Sequence, residues 1–312
     1  MTAKPTELVE VVCNLCGGAR HRPLFSVNGM RVVECAGCGL RFFNPRPGDA
    51  AIREIYRGDY FANSSVLTTR GPIYGYQDYL ADRGNIQHDF ANKVRRIGEI
   101  QPPGRLLEVG AAYGFFLELM RDAGWRAEGL EPNPAAAAFA RDALKLDVRC
   151  TTLEEADLPQ ESYQCVTMFD VIEHLVDPRE ALATVRRALT PDGLLVISTI
   201  DVDSFVARLL GPKWEDIRRS RDHLWLFSKR TMMALLAECG FETIDVTSYG
   251  KIFELGLALR RAMPYAPRLF GLLHGATRTL GAGRLKVYIN VRSKLCFYAR
   301  PAAGVPASGP SG

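Results

Sequence analysis

Between residues 105 and 249, short apolar runs alternate with longer stretches whose apolar positions recur every three or four residues. The short runs read as strands buried on both faces, the longer stretches as amphipathic helices. "RLLEVG" (105–110) is the first strand, and "FFLELMRDAG" (115–124) is a helix stopped by a glycine. "RAEGLEP" (126–132) is the second strand, followed by the helix "NPAAAAFARDAL" (133–144) with Pro134 just inside its start. "DVRC" (147–150) begins a third strand and "YQCVTMFDV" (163–171) is a fourth. "PREALATVRRAL" (178–189) is the next helix and "GLLVISTI" (193–200) a fifth strand. "SKRTMMALLAECGF" (228–241) has Ser228 as N-cap and Gly240 at its stop. "FETIDVTSY" (241–249) and "SKLCFYAR" (293–300) supply the last strands. Regular βα alternation predicts an α/β fold on a mostly parallel sheet.

The flanks differ. Residues 13–43 are Cys-rich, and "NPRPGD" (44–49) is a turn-rich boundary. Residues 50–104 read as helical, with a Gly/Tyr-rich interruption at 71–80. The segment 250–290 is apolar and dotted with arginine, and predicts two amphipathic pieces, 252–263 and 268–280. Such stripes face a core more often than not, so a packed helical pair is the expectation. A lid over an apolar acceptor and a peripheral membrane contact are the alternatives. This gives five segments: a zinc-ribbon module (1–48), a helical linker or cap (49–100), a Rossmann-like core (101–249), a helical insertion with the last core strand (250–300) and a disordered tail (301–312).

The chain has 312 residues, 47% of them hydrophobic, enough for a full core and a small extra module. The net charge of +4 is spread out, with no dense Lys/Arg block, which argues against nucleic acid as partner. Residues 1–12 hold no apolar signal run, and no stretch is long enough to span a bilayer. The expected setting is therefore the reducing cytoplasm, where paired cysteines bind metal more often than they form disulfides. Cys13-x-x-Cys16 and Cys35-x-x-Cys38 are two such pairs, eighteen residues apart. Four thiolates on two tight turns complete a tetrahedron and leave no open position, so the spacing predicts a structural Zn2+. Gly17 and Gly39 follow the second cysteine of each pair and ease the turn.

The turn after the first strand carries the candidate chemistry. Gly110-x-x-x-Gly114, with Ala112 between, departs from the Gly-x-Gly-x-x-Gly of dinucleotide sites. Glu108 at the strand end would repel a pyrophosphate, but suits a ligand with an ammonium and a sulfonium. Glu131 ends the next strand, about 20 residues on, where an acid accepts hydrogen bonds from a ribose diol. These features point to S-adenosylmethionine.

"LLEVGAAYGFFLELM", "GLEPNPAAAAFA", "TMFDVIEHLVDP" and "LTPDGLLVIST" resemble, in order, the motifs of class I S-adenosylmethionine-dependent methyltransferases. "CGLRFFNPRP" (38–47) and "DHLWLFSKRTMMALLAECGF" (222–241) resemble the bacterial subgroup with an N-terminal zinc ribbon. The resemblance covers most of residues 13–300. It implies a seven-stranded, doubly wound Rossmann-like sheet with a small N-terminal zinc-ribbon module. It implies that Glu108, Gly110, Ala112 and Gly114 wrap the methionine and ribose side of the cofactor. It further implies that Glu131 binds the ribose and that Pro132 shapes the loop beside adenine. Leu153 lines the ring, while Thr152 stands where an aspartate is common. Gln164 and Cys165 depart from the usual pattern, which reads as a packing change.

Asp170, Glu173 and His174 run off the fourth strand, at the strand ends where α/β sheets place ligands. Asp170 is a candidate cofactor contact. His174 is the first choice for a general base if the acceptor is a hydroxyl, with Glu173 beside it. The other reading of Glu173 and His174 is a loop cap or a cofactor contact. His223, next to Trp225 and Phe227, either faces the acceptor or is simply packed. The expected partner is a small-molecule acceptor: a sugar, a glycan, a quinone-like compound or another metabolite. The alternatives are a nucleotide-dependent oxidoreductase or epimerase on a Rossmann-like fold, and a non-catalytic zinc-ribbon binding module. The oligomeric state is not legible.

Overall fold

The computed structural model describes residues 7–57, 79–220 and 222–304. The tail expected to be disordered lies, from residue 305 on, outside the described residues, as does most of the 71–80 interruption. The chain opens with β1 (Leu8–Val9), β2 (His21–Val27), β3 (Met30–Cys35), β4 (Arg41–Phe43), β5 (Arg46–Pro47) and α1 (Asp49–Arg57). Helix α2 (Arg83–Ile100) leads into β6 (Arg105–Val109), α3 (Phe115–Asp122), β7 (Arg126–Leu130), α4 (Pro134–Asp142) and β8 (Asp147–Arg149). Next come β9 (Tyr163–Phe169), α5 (Pro178–Ala188), β10 (Leu189–Ile200), α6 (Phe205–Leu210) and α7 (Glu215–Arg218). The chain continues through β11 (Trp225–Leu226), α8 (Lys229–Glu238), β12 (Phe241–Ser248) and β13 (Lys251–Glu254). It closes with α9 (Leu255–Ala262), α10 (Pro267–Thr279), β14 (Lys286–Ile289) and β15 (Lys294–Pro301).

Seven strands form one sheet in the order β12-β15-β10-β9-β6-β7-β8. The five strands from β10 to β8 run parallel, and β15 is antiparallel to both neighbours. The order reverses between β6 and β9, so the crevice for ligands lies beyond their C-terminal ends. The caps are written in the sequence. The side chains of Asn133 and Asp177 accept the N–H of Ala136 and Glu180, each followed by a proline at the first helical position. Ser228 and Thr231 form a reciprocal capping box on α8. Each such cap stabilises its helix by about 1 kcal/mol. The Gln164 side chain ties the start of β9 to β6: its Oε1 accepts the Arg105 N–H at 2.8 Å.

Alternation along the central strands splits the core in two. Leu107, Val109, Val166, Met168, Leu195 and Ile197 face one side, with α5 and α8. Leu106, Cys165, Leu194 and Val196 face the other, with α2, α3 and α4. The Cys-rich hairpins join the first of these cores through Leu15, Val33, Leu40 and Phe42. They are also joined by backbone. The four-stranded sheet β11-β4-β3-β2 takes β11 from beyond the central strands of the main sheet, with Trp225 opposite Phe42.

The segment 250–290 corrects the sequence expectation. It does hold two helices, but β13 and β14 pair antiparallel at their base, and neither strand stood out in the sequence. Neither helix buries a residue. Leu269, Leu272, Leu273 and Leu280 are exposed, Leu272 by 75%. The helices pack on each other and on the strand pair instead of on the core. Their amphipathic stripe is real, but the leucines named above turn part of it outward.

Candidate active site

The backbone after β6 turns back through Gly110–Gly114 into α3. Gly110 has φ +76° and Gly114 φ +81°. A Cβ would come 2.6 Å from Val171 Cγ2 at the first and 2.6 Å from Leu146 Cδ1 at the second, so only glycine fits either place. Ala112 takes φ +49°, a conformation non-glycine residues seldom adopt. The N–H groups of Gly110 and Ala111 donate to the Leu130 carbonyl and fasten the turn to the end of β7.

Glu131 follows β7. Its Oε2 accepts the Ala112 N–H at 2.7 Å, and its Oε1 accepts the Asn133 N–H at 2.8 Å. The carboxylate thus clamps two loops, and each oxygen keeps a lone pair. Burial pushes its pKa up to about 7 against the pull of these two amides. Glu108 is 3% exposed, and its Oε2 has no hydrogen bond. Burial, with the charge of Glu131 beside it, raises its pKa well above the usual carboxylate range. A buried acceptor without a donor is costly, and a cation or N–H donor placed against it would remove that cost.

Pro132 is half-buried. Thr152 Oγ1 accepts the Glu155 N–H at 3.3 Å, so this hydroxyl holds a local turn. Leu153 is buried and packs in the core with Leu130 and Ile172.

The end of β9 gathers the other candidates. Asp170 has φ +53°. It accepts hydrogen bonds from Tyr249 Oη at 2.8 Å, Ser198 Oγ at 3.3 Å and Lys294 Nζ at 3.2 Å. Burial works against its charge, but Lys294, Lys251 and the Tyr249 hydroxyl hold its pKa well below the usual range. Tyr249 and Lys294 escaped the sequence reading because nothing local ties them to Asp170. Lys93 is a third omission, and here a signal existed. Phe90, Lys93, Val94 and Ile97 share one stripe of α2, so this lysine occupies a core-facing position. It is buried with its Nζ 3.8 Å from the Tyr249 ring centroid.

Glu173 and His174 lie in a single 3₁₀ turn, Ile172–His174. The Leu224 N–H donates to the Glu173 carbonyl at 2.8 Å and brings residues 222–227 alongside. His174 Nδ1 is 2.7 Å from the Asp222 carbonyl. A carbonyl only accepts, so Nδ1 carries the hydrogen and Nε2 the free lone pair. Burial pushes the His174 pKa down to about 4. The His223 ring lies 4.7 Å from that of His174, with neither nitrogen hydrogen-bonded. Burial, Arg219 and His174 push its pKa well below the usual imidazole range. Glu173 is fully buried, without a hydrogen bond of good geometry to either oxygen, and burial and Asp170 push its pKa to about 8 against the pull of the nearby Thr199 hydroxyl. The structure thus brings Glu173, His174 and His223 together.

The four N-terminal cysteines also converge. Cys13 Sγ lies 3.4 Å from Cys38 Sγ, and Cys16 Sγ 3.5 Å from Cys35 Sγ; all four sulfurs lie within 4.8 Å of one another. A tetrahedron with metal–sulfur bonds of about 2.3 Å has edges of about 3.8 Å, so the cluster has the size of a zinc site. The N–H groups of Gly17 and Gly39 close the two turns onto the carbonyls of Cys13 and Cys35.

A family described as a methyltransferase domain matches residues 83–246, just over half of the chain. The chain belongs to this family. It is a member of the class I S-adenosylmethionine-dependent methyltransferases, with their seven-stranded Rossmann-like sheet. The ubiquinone biosynthesis O-methyltransferase of Bradyrhizobium diazoefficiens is 35% identical over 117 residues, 35% of this chain and 46% of that protein. The protein of the same name from Cereibacter sphaeroides is 32% identical over 117 residues, 35% of this chain and 47% of its own. The chain thus spans about half the length of the curated relatives it matches. The 1,6-didemethyltoxoflavin-N1-methyltransferase of Burkholderia thailandensis was solved with 1,6-didemethyltoxoflavin and S-adenosylhomocysteine. It superposes with a TM-score of 0.52 at 15% identity, over 90% of this chain and 99% of that one, which shows the shared fold. Among the described residues, no helix is long and apolar enough to cross a membrane.

Proposed function

We propose that the protein transfers the methyl group of S-adenosylmethionine to a hydroxyl oxygen of a small-molecule acceptor. The buried Glu108 carboxylate, with one oxygen unpartnered, carries this reading. The cofactor, when bound, supplies an electrophilic methyl group on a sulfonium, and its ammonium matches what Glu108 lacks. Glu131 keeps lone pairs for a ribose diol. Gly110, Ala112 and Gly114 let the backbone approach the cofactor, and Pro132, Thr152 and Leu153 border its adenine. Asp170, pinned by Tyr249 and Lys294, fixes the rim between cofactor and acceptor. Oxygen as the nucleophile is supported by the O-methyltransferase names of the relatives. The acceptor's proton leaves at the Glu173–His174–His223 cluster. The four converging cysteines hold a structural zinc ion, and the enzyme works in the cytoplasm, where thiols stay reduced.

Calorimetry with S-adenosylhomocysteine tests the cofactor site. Glu131→Ala is expected to weaken binding by about 1–3 kcal/mol, the cost of losing an acceptor from a buried polar site. Equal affinity would remove the ribose assignment. Binding of NAD in place of S-adenosylhomocysteine would favour the oxidoreductase alternative.

The partner we propose for α9 and α10 is an anionic membrane surface. Residues 251–292 carry eight lysines and arginines against one acid, Glu254, beside the exposed leucines. Basic side chains around an exposed apolar stripe suit a headgroup boundary. The protein should co-sediment with phosphatidylcholine vesicles containing phosphatidylglycerol, and less with phosphatidylcholine alone. Reversing Arg268 and Arg278 to glutamate should weaken binding at least about tenfold, at about 1 kcal/mol per basic residue. No binding to either vesicle would refute the contact.

A further inference from the structure

We propose that Glu173, His174 and His223 form a second metal site, separate from the cysteine cluster, for one divalent first-row cation. The inference goes beyond the methyl-transfer reading: an ion here takes up the free His174 lone pair, so in the metal-loaded protein the ring orients the ion and does not itself receive the acceptor's proton. One carboxylate oxygen and one ring nitrogen from each histidine lie within 4.8 Å of one another. All three side chains are buried, at 0%, 7% and 0% exposure in chain order. Both oxygens of Glu173 and both ring nitrogens of His223 lack a hydrogen bond of good geometry, although the Thr199 hydroxyl lies beside the carboxylate and the Asp216 backbone beside the His223 ring. Buried polar atoms are paired in about nine cases of ten, so four orphans on two facing side chains ask for a common partner.

His174 is already oriented for the same partner. Its Nδ1–H donates to the Asp222 carbonyl, which leaves Nε2 as the ligand atom. A hydrogen bond from the remote ring nitrogen to a backbone carbonyl is the usual support of a metal-bound histidine, and it fixes the tautomer. The Asp222 carbonyl also accepts from Tyr56 Oη at 3.3 Å, and Arg219 holds the Asp222 carboxylate. Neither group of Asp222 therefore competes for the ion. Backbone geometry fixes the third ligand, since the Leu224 N–H binds the Glu173 carbonyl and sets His223 against the 3₁₀ turn. Two imidazoles and one carboxylate form a donor set for Mn2+, Fe2+ or Zn2+ that leaves coordination positions open. The four thiolates of the other cluster prefer a softer ion, so Mn2+ separates the two sites.

The test uses the full chain with the ion of its cysteine cluster in place. Mn2+ binding is read by equilibrium dialysis and by electron paramagnetic resonance of the free ion. One saturable Mn2+ per chain is expected, displaced by added Zn2+. His223→Asn and Glu173→Gln should each weaken Mn2+ at least about tenfold. Mn2+ should also raise the melting temperature of the wild type. Glu173→Gln keeps the side chain's shape, so it should melt without Mn2+ at or above the wild-type temperature and lose the rise. If His223→Asn fails to fold, Glu173→Gln decides alone. Absence of saturable Mn2+ binding, or binding undiminished in Glu173→Gln, would overturn the site.

Discussion

Cys16→Ser protein is expected to carry no zinc at the cysteine cluster and to lose the fold of its N-terminal hairpins. Sites of this kind bind zinc with about 10–16 kcal/mol, and that free energy is also folding free energy. A whole domain is stable by only about 5–15 kcal/mol, so nothing else in a small module replaces it. The loss should not stay local. Leu40, Phe42 and Val33 share a core with Leu107, Val166 and Met168 of the central sheet. Arg179 adds a hydrogen bond to the Leu15 carbonyl at 2.6 Å, and Arg230 one to the Cys38 carbonyl at 2.9 Å. The melting transition of the entire chain should therefore fall. Metal analysis of the wild type should find about one zinc per chain on these four sulfurs. A Cys16→Ser preparation that melts like the wild type would refute the structural role, and wild-type protein without zinc on these sulfurs would refute the site.

His174→Ala is expected to slow methyl transfer by about 10²–10⁴-fold, the range for a group that handles the acceptor's proton. S-adenosylhomocysteine affinity should hardly change, since Glu108, Glu131 and the Gly110–Gly114 turn are untouched. Turnover can be followed with labelled cofactor and an acceptor purified from a cell extract. A loss confined to cofactor affinity would make His174 a cofactor contact. Wild-type kinetics would show that the acceptor needs no assistance there.

The local features of this molecule were legible and the remote ones were not. Strands β6 to β10 follow from apolar runs, α4 and α8 from their caps, and the turn from Gly110 and Gly114. Glu108 and Glu131 stand out because charge at a strand end is conspicuous in an apolar run. Pairing across great sequence distance leaves no such trace. Tyr249 and Lys294 lie 79 and 124 residues from Asp170, and nothing in their neighbourhoods announces an acid. Trp225 and Leu226 show no alternation long enough to name a strand, yet they complete the sheet of the N-terminal hairpins. The error over 250–290 has another cause. An apolar stripe specifies that a helix has two faces, and does not specify what meets the apolar one.

The pairing of β4 with β11 has a consequence for how the chain is made. A ribosome delivers Arg41–Phe43 about 180 residues before Trp225, roughly ten to forty seconds earlier at ordinary elongation rates. Throughout that interval the nascent hairpins hold an open strand edge next to the apolar Phe42 and Phe43, the kind of edge on which chains aggregate. Metal captured early would keep the hairpins folded, but it cannot cover that edge; only the arrival of β11 does. Hairpins that fold before Trp225 is made would wait with that edge bare, a delay not met by strands that pair in the order they emerge.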